Sequence, residues 1–140
     1  MKIKIKNKEL VNVEQFLGNL TMKGKQSIAR SRMLQILEKK QKEFAEDRKS
    51  IVIAYAEKDD KGEAIVKEDG TYELSTKGNA EASKEIADLL EEDAVIDYGE
   101  YSSRLNDLEK FIIEFDDEVS GNVAQGFFVL VTAFENKEEK

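Results

Sequence analysis

The chain has no cysteine and no histidine. The first absence removes disulfides, thiolate zinc sites and thiol nucleophiles, and speaks against a small secreted scaffold. The second removes the commonest general base and transition-metal ligand, so the Ser-His, Cys-His and zinc arrangements are excluded together. Proline is missing as well, and with it any proline hinge. No run approaches the roughly 18 consecutive apolar residues that a membrane span needs. Met1 to Leu10 alternate lysine with isoleucine where an export signal would carry an apolar block. The expectation is a cytoplasmic protein without membrane contact.

Carboxylates could still hydrolyse a glycoside or hold magnesium, the candidates being Asp59 with Asp60, Asp93 with Asp97, and Asp116 with Asp117 and Glu118. Two of these clusters fall where helices end and loops begin, as solvated acidic residues commonly do. None repeats the Asp-x-Asp-x-Asp-Gly order of a calcium loop. The glycines never form a phosphate-binding pattern after a strand. No catalytic residue, metal site or cofactor is therefore expected, and the chain reads as a non-enzyme.

What is present is charge, unevenly placed. Residues 1 to 50 hold 13 Lys/Arg against 6 Asp/Glu, and the rest hold 9 against 24, within a net charge of -8. The molecule should be electrically two-ended, although charge is also the ordinary way to keep a small domain soluble. A length of 140 residues suits one domain, expected over 1–134. Residues 135–140 carry no apolar side chain and are expected to fray.

Lys2 to Lys6 alternate perfectly, placing Ile3 and Ile5 on one face of an edge strand and lysines on the other. Asn12 with Gln15 resembles a capping box, followed by Val13, Phe16, Leu17 and Leu20 on one helical face. From about Ser27 to Lys58 nothing breaks the chain, so one long helix of roughly 45 Å is expected. Its stretch from Glu38 to Lys49 has only Phe44 and Ala45 as apolar residues, enough for one narrow seam. Asp69-Gly70 signals a hairpin between 64–66 and 72–74. A helix over about 79–92, a strand over 94–98 and a helix carrying Leu105, Leu108, Ile112 and Phe115 follow. Phe127 to Phe134 is an apolar run that fits a helix capped at Ser120-Gly121 or a buried strand.

The fold class expected is α+β, with one long helix and about three shorter ones packed on a small, mostly antiparallel sheet of the opening strand, the hairpin and the 94–98 strand. The expected core includes Ile3, Ile5, Phe16, Leu37, Phe44, Ile86, Leu89, Leu105, Ile112 and Phe128.

Two charged segments are candidate interaction sites. Lys23, Lys25, Arg30 and Arg32 crowd the junction before the long helix, with Ser27 and Ser31 beside them, and would suit a phosphate or an acidic protein surface. No aromatic residues interleave for base stacking, which weakens a nucleic-acid reading. The acidic region, Asp97 and Glu100 included, could instead occupy a basic cleft in place of DNA.

In order along the chain, several segments resemble an uncharacterised family, a domain of unknown function in small proteins of siphophages and prophages of low-GC Gram-positive bacteria. The resemblance rests on Lys2-Ile3-Lys4-Ile5-Lys6-Asn7-Lys8-Glu9-Leu10, the basic Lys23 to Arg32 stretch leading into Met33-Leu34, and Glu46-Asp47-Arg48-Lys49. It continues through Lys67-Glu68-Asp69-Gly70-Thr71-Tyr72, Ile96-Asp97-Tyr98-Gly99-Glu100-Tyr101 and Val119-Ser120-Gly121-Asn122-Val123-Ala124. It covers nearly the whole chain and implies a phage origin, a host bacterial cytoplasm and no established activity. The expectation is an accessory protein that binds a phage or host protein in virion assembly or host takeover. An acidic inhibitor of a host defence or nucleic-acid enzyme, and nucleic-acid binding through 23–32, are the alternatives.

Overall fold

A computed structural model describes residues 1–139. Its elements are β1 (Lys2–Lys6), α1 (Leu10–Gly18), α2 (Gly24–Tyr55), α3 (Thr76–Glu91), β2 (Asp93–Asp97), α4 (Ser102–Ile113) and α5 (Gly121–Glu135). Among the described residues the fold is α+β: five α-helices and one two-stranded antiparallel sheet. Where length suggests one domain over 1–134, the contacts of the described residues group into two compact units, residues 1–41 with 93–139 and residues 42–92, with α2 contributing to both.

The first unit is built on the strand pair. Alternation in β1 and β2 sends Ile3, Ile5, Ala94 and Ile96 to one face, where all are buried, and pairs Ile3 with Ile96 and Ile5 with Ala94. The other face is charged, with Lys2 opposite Asp97 and Lys6 opposite Asp93. Opposite charges facing each other across strands favour this register. The apolar face meets a helical core of Val13, Phe16 and Leu17 from α1, Ala29, Met33 and Leu37 from α2, Leu105, Leu108 and Ile112 from α4, and Leu130 and Phe134 from α5. Phe16, Phe115 and Phe127 form an aromatic triangle with ring centroids 5.2–5.4 Å apart, spacings at which edge and tilted contacts add to burial.

The apolar run 127–134 is helical. Gly126, Leu130, Ala133 and Phe134 form its buried stripe, and Gly126 sets how closely the helix packs. A Cβ there would lie 2.0 Å from the Asn12 carbonyl oxygen and 3.0 Å from the Phe16 Cβ. The absence of a side chain lets α5 lie against the α1 backbone.

The second unit has little core: Ala56, Ala82 and Leu89 are its buried apolar residues. Ser75 caps α3, its hydroxyl accepting from the Gly78 amide at 3.0 Å. Between α2 and α3 the backbones of Glu57, Ile65 and Glu73 close a ring of hydrogen bonds at 2.8–2.9 Å. Gly70, with φ +86°, supplies the left-handed residue of the turn, and Asp69 accepts from the Thr71 amide at 3.0 Å and its hydroxyl at 2.6 Å. These bonds hold the Asp69 carboxyl below the usual carboxylate range.

Four expectations need correction. The 64–74 segment turns as its sequence implies, but it holds isolated bridges such as Val66 with Tyr72 and contributes nothing to the sheet. Asn12 is not a cap: α1 starts at Leu10, after a 3-10 turn over Asn7–Glu9, and Asn12 donates to the Glu9 carboxylate at 3.1 Å. Phe128 is 64% exposed, while Phe44 and Ile86 are half-buried. Helical phase explains Phe128, because two residues turn the helix about 200° and place it opposite Gly126 and Leu130. Finally, 135–139 is tied down. Lys137 reaches Glu109 at 2.8 Å, both side chains being largely buried, and Glu138 exchanges two backbone hydrogen bonds with Lys2. Lys140, part of the same expectation, lies outside the described residues.

Candidate interaction surfaces

The basic junction divides into inward and outward residues. The Arg30 guanidinium donates to the Leu20 carbonyl and so anchors the link between α1 and α2. Arg32 lies 4.9 Å from the centre of the Tyr101 ring and donates to Gln35 at 3.2 Å, a cation–π contact that fixes it on the surface of its own unit. Lys23 and Lys25 remain exposed. Lys25 borders a groove of about 720 Å³ whose other charges come chiefly from α4 and the segment after it: Asp107, Lys110, Glu114, Asp116 and Asp117. The fold therefore gives the four basic residues different tasks and does not gather them into one phosphate-sized pocket.

Asp97 and Glu100 are also separated by role. Asp97 faces Lys2 across the sheet and accepts from the Gly99 amide at 3.0 Å, shaping the turn out of β2. Glu100 is exposed in the 3-10 turn Gly99–Tyr101. Among the described residues no three acidic groups converge as a metal site would require, and no helix is long and apolar enough to cross a membrane.

Two titratable groups sit under strain of a simpler kind. Glu14, on α1, has one carboxylate oxygen buried without a hydrogen-bond partner among the described residues. Burial raises its pKa, a hydrogen bond from Gln41 lowers it in part, and Glu38 raises it further. The Tyr98 hydroxyl is buried without a hydrogen-bond partner among the described residues. Burial, then the nearby Glu109 carboxylate, pushes it far above the ordinary tyrosine range.

A second groove, of about 450 Å³, runs between β1 and α5. Lys4, Lys6 and Lys8 line one side and Phe128, Val129 and Thr132 the other. Glu138 stands at its end, pairing with the Lys4 ammonium at 3.0 Å and raising its pKa chiefly through that hydrogen bond. Sequence reasoning missed this site. The lysine edge was legible from the alternation in 2–6, but the opposite wall depends on the rotation of α5, which an apolar run with two readings does not disclose.

In the second unit, Arg48, Lys49 and Val52 of α2 face Tyr72, Ser83 and Ile86 across a cleft of about 370 Å³. Beside it the Tyr55 hydroxyl donates to Glu85 at 2.9 Å.

These features define a small α+β protein whose distinctive surfaces are open grooves lined by charge and a few apolar side chains. The chain belongs to the family described as Protein of unknown function (DUF1617), whose model matches residues 1–139. The resemblance seen in the sequence to an uncharacterised family spanning nearly the whole chain is thereby borne out. No curated protein and no solved structure matches it.

Proposed function

We propose that this chain is a phage-encoded accessory protein that works by binding another protein, in virion assembly or in takeover of the host, without chemistry of its own. The observation that carries the reading is Phe128, 64% exposed beside a lysine-lined groove. A mostly exposed aromatic ring forgoes much of the about 1.5–3 kcal/mol that full burial contributes, and aromatic residues are enriched in the buried centres of protein interfaces, with polar residues at their rims. The phage assignment rests on the order of segments from the opening lysine–isoleucine alternation to Val119-Ser120-Gly121, and the site of action that follows from it is the host cytoplasm.

A second reading, an acidic inhibitor of a host nucleic-acid enzyme, draws on Asp107, Glu114, Asp116 and Asp117 around the groove of about 720 Å³. Affinity capture with tagged protein from phage-infected cells, at low and moderate salt, separates the two. A protein partner retained at moderate salt supports the accessory role. A partner that binds nucleic acid and dissociates as salt rises supports the inhibitor, and purified protein that turns over a substrate contradicts both.

A further inference from the structure

We propose that the outer edge of β1 and the facing side of α5 form a docking groove for an acidic, extended segment of a partner protein, which adds as a strand beside Lys4 and covers Phe128. The inference rests on the protein-binding reading above and specifies the surface and the partner's chemistry.

Three observations lead there. First, the edge is open at Lys4. Lys2 directs its amide and carbonyl away from β2, toward Glu138, at 2.8 and 2.9 Å. Backbone groups two residues apart on a strand point the same way, so Lys4 presents its own toward the groove. Among the described residues no strand pairs with β1 beyond Lys2 on that side.

Second, β1 already shows which strands it accepts. On one side it pairs with β2, whose Asp97 and Asp93 stand opposite Lys2 and Lys6. On the other it takes Glu138, which bonds Lys2 through its backbone and Lys4 through its side chain. Both neighbours are acidic. Lysines on an edge repel a second copy of the same strand, since antiparallel self-pairing would set lysine against lysine. Attraction to carboxylates and rejection of other lysines give the edge its selectivity.

Third, the groove has an apolar wall. Phe128, Val129 and Thr132 face the edge, so a strand laid beside Lys4 would turn alternate side chains onto α5 and send the others outward among the lysines. The occupant is therefore a segment that alternates acidic with apolar residues.

The test is an amide-resolved NMR titration of the full chain with a synthetic hexapeptide alternating glutamate and valine, with a lysine–valine peptide as control. The expected result is perturbation of the Lys4, Ile5, Val129 and Thr132 amides by the acidic peptide alone. Phe128→Asp and Lys4→Glu, both at exposed positions, should each weaken binding about tenfold or more. No perturbation at about 1 mM peptide, shifts confined to other surfaces, or equal binding of the two peptides would overturn the groove. Affinity capture with the same variants keeps the two proposals apart. A partner held equally by wild type and Phe128→Asp defeats the groove and spares the protein-binding reading, whereas wild-type protein that holds no partner defeats that reading.

Discussion

Glu14 illustrates how a single side chain on α1 can work against the fold that contains it. Burial of its carboxylate, one oxygen of which has no hydrogen-bond partner among the described residues, together with the nearby Glu38, raises its pKa in the folded state. A raised acid binds its proton more tightly when folded, and stability falls as pH rises from the unfolded carboxylate range, about 4.3, through the folded value. Glu14→Gln removes the charge while keeping the shape. We expect this variant to melt higher than wild type at pH 7 and to match it near pH 4, which thermal unfolding at the two pH values will check. A wild-type protein that gains stability over that interval through this position would contradict the assignment.

At the scale of elements the decisive contact is between α1 and α5. Ala at position 126 would gain about 1 kcal/mol of helix propensity, but its Cβ would stand 2.0 Å from a backbone oxygen of α1. Overpacking against backbone costs about 1–3 kcal/mol, and a clash this close belongs at the top of that range. Gly126→Ala should therefore lower stability by about 2 kcal/mol net, readable as a shift in the denaturant midpoint at unchanged slope. The elements themselves were largely legible: strict alternation identified β1, spacings of three and four identified α4, and an unbroken run identified α2. What the sequence could not disclose were pairings between distant segments. The Asp69-Gly70 turn is encoded locally, whereas the sheet is completed by β2 pairing with β1 at the start of the chain, so the local pattern implies a sheet that the hairpin does not join. Phe128 was misplaced for the same reason. Its burial depends on which face of α5 meets Asn12 and Phe16, and that choice is made by a glycine.

Considered as a whole molecule, the chain separates its charges along the sequence, yet the fold recombines part of them. Lysines of β1 meet acidic residues of β2 and of the last described residues. The candidate residues at 23–32 were readable as a basic cluster, but Arg30 and Arg32 are engaged within their own unit, a fate that only tertiary contacts determine. The exposed surface that remains most distinctive combines lysines with Phe128, and it supports recognition of a protein more directly than recognition of a nucleic acid. Photo-crosslinking tests this most directly: a benzoylphenylalanine at position 128, compared with one at the similarly exposed Ile113, in phage-infected cells producing the protein. A covalent adduct with one protein is expected from position 128 and not from position 113. Adducts from both positions alike, or none from 128, would contradict it.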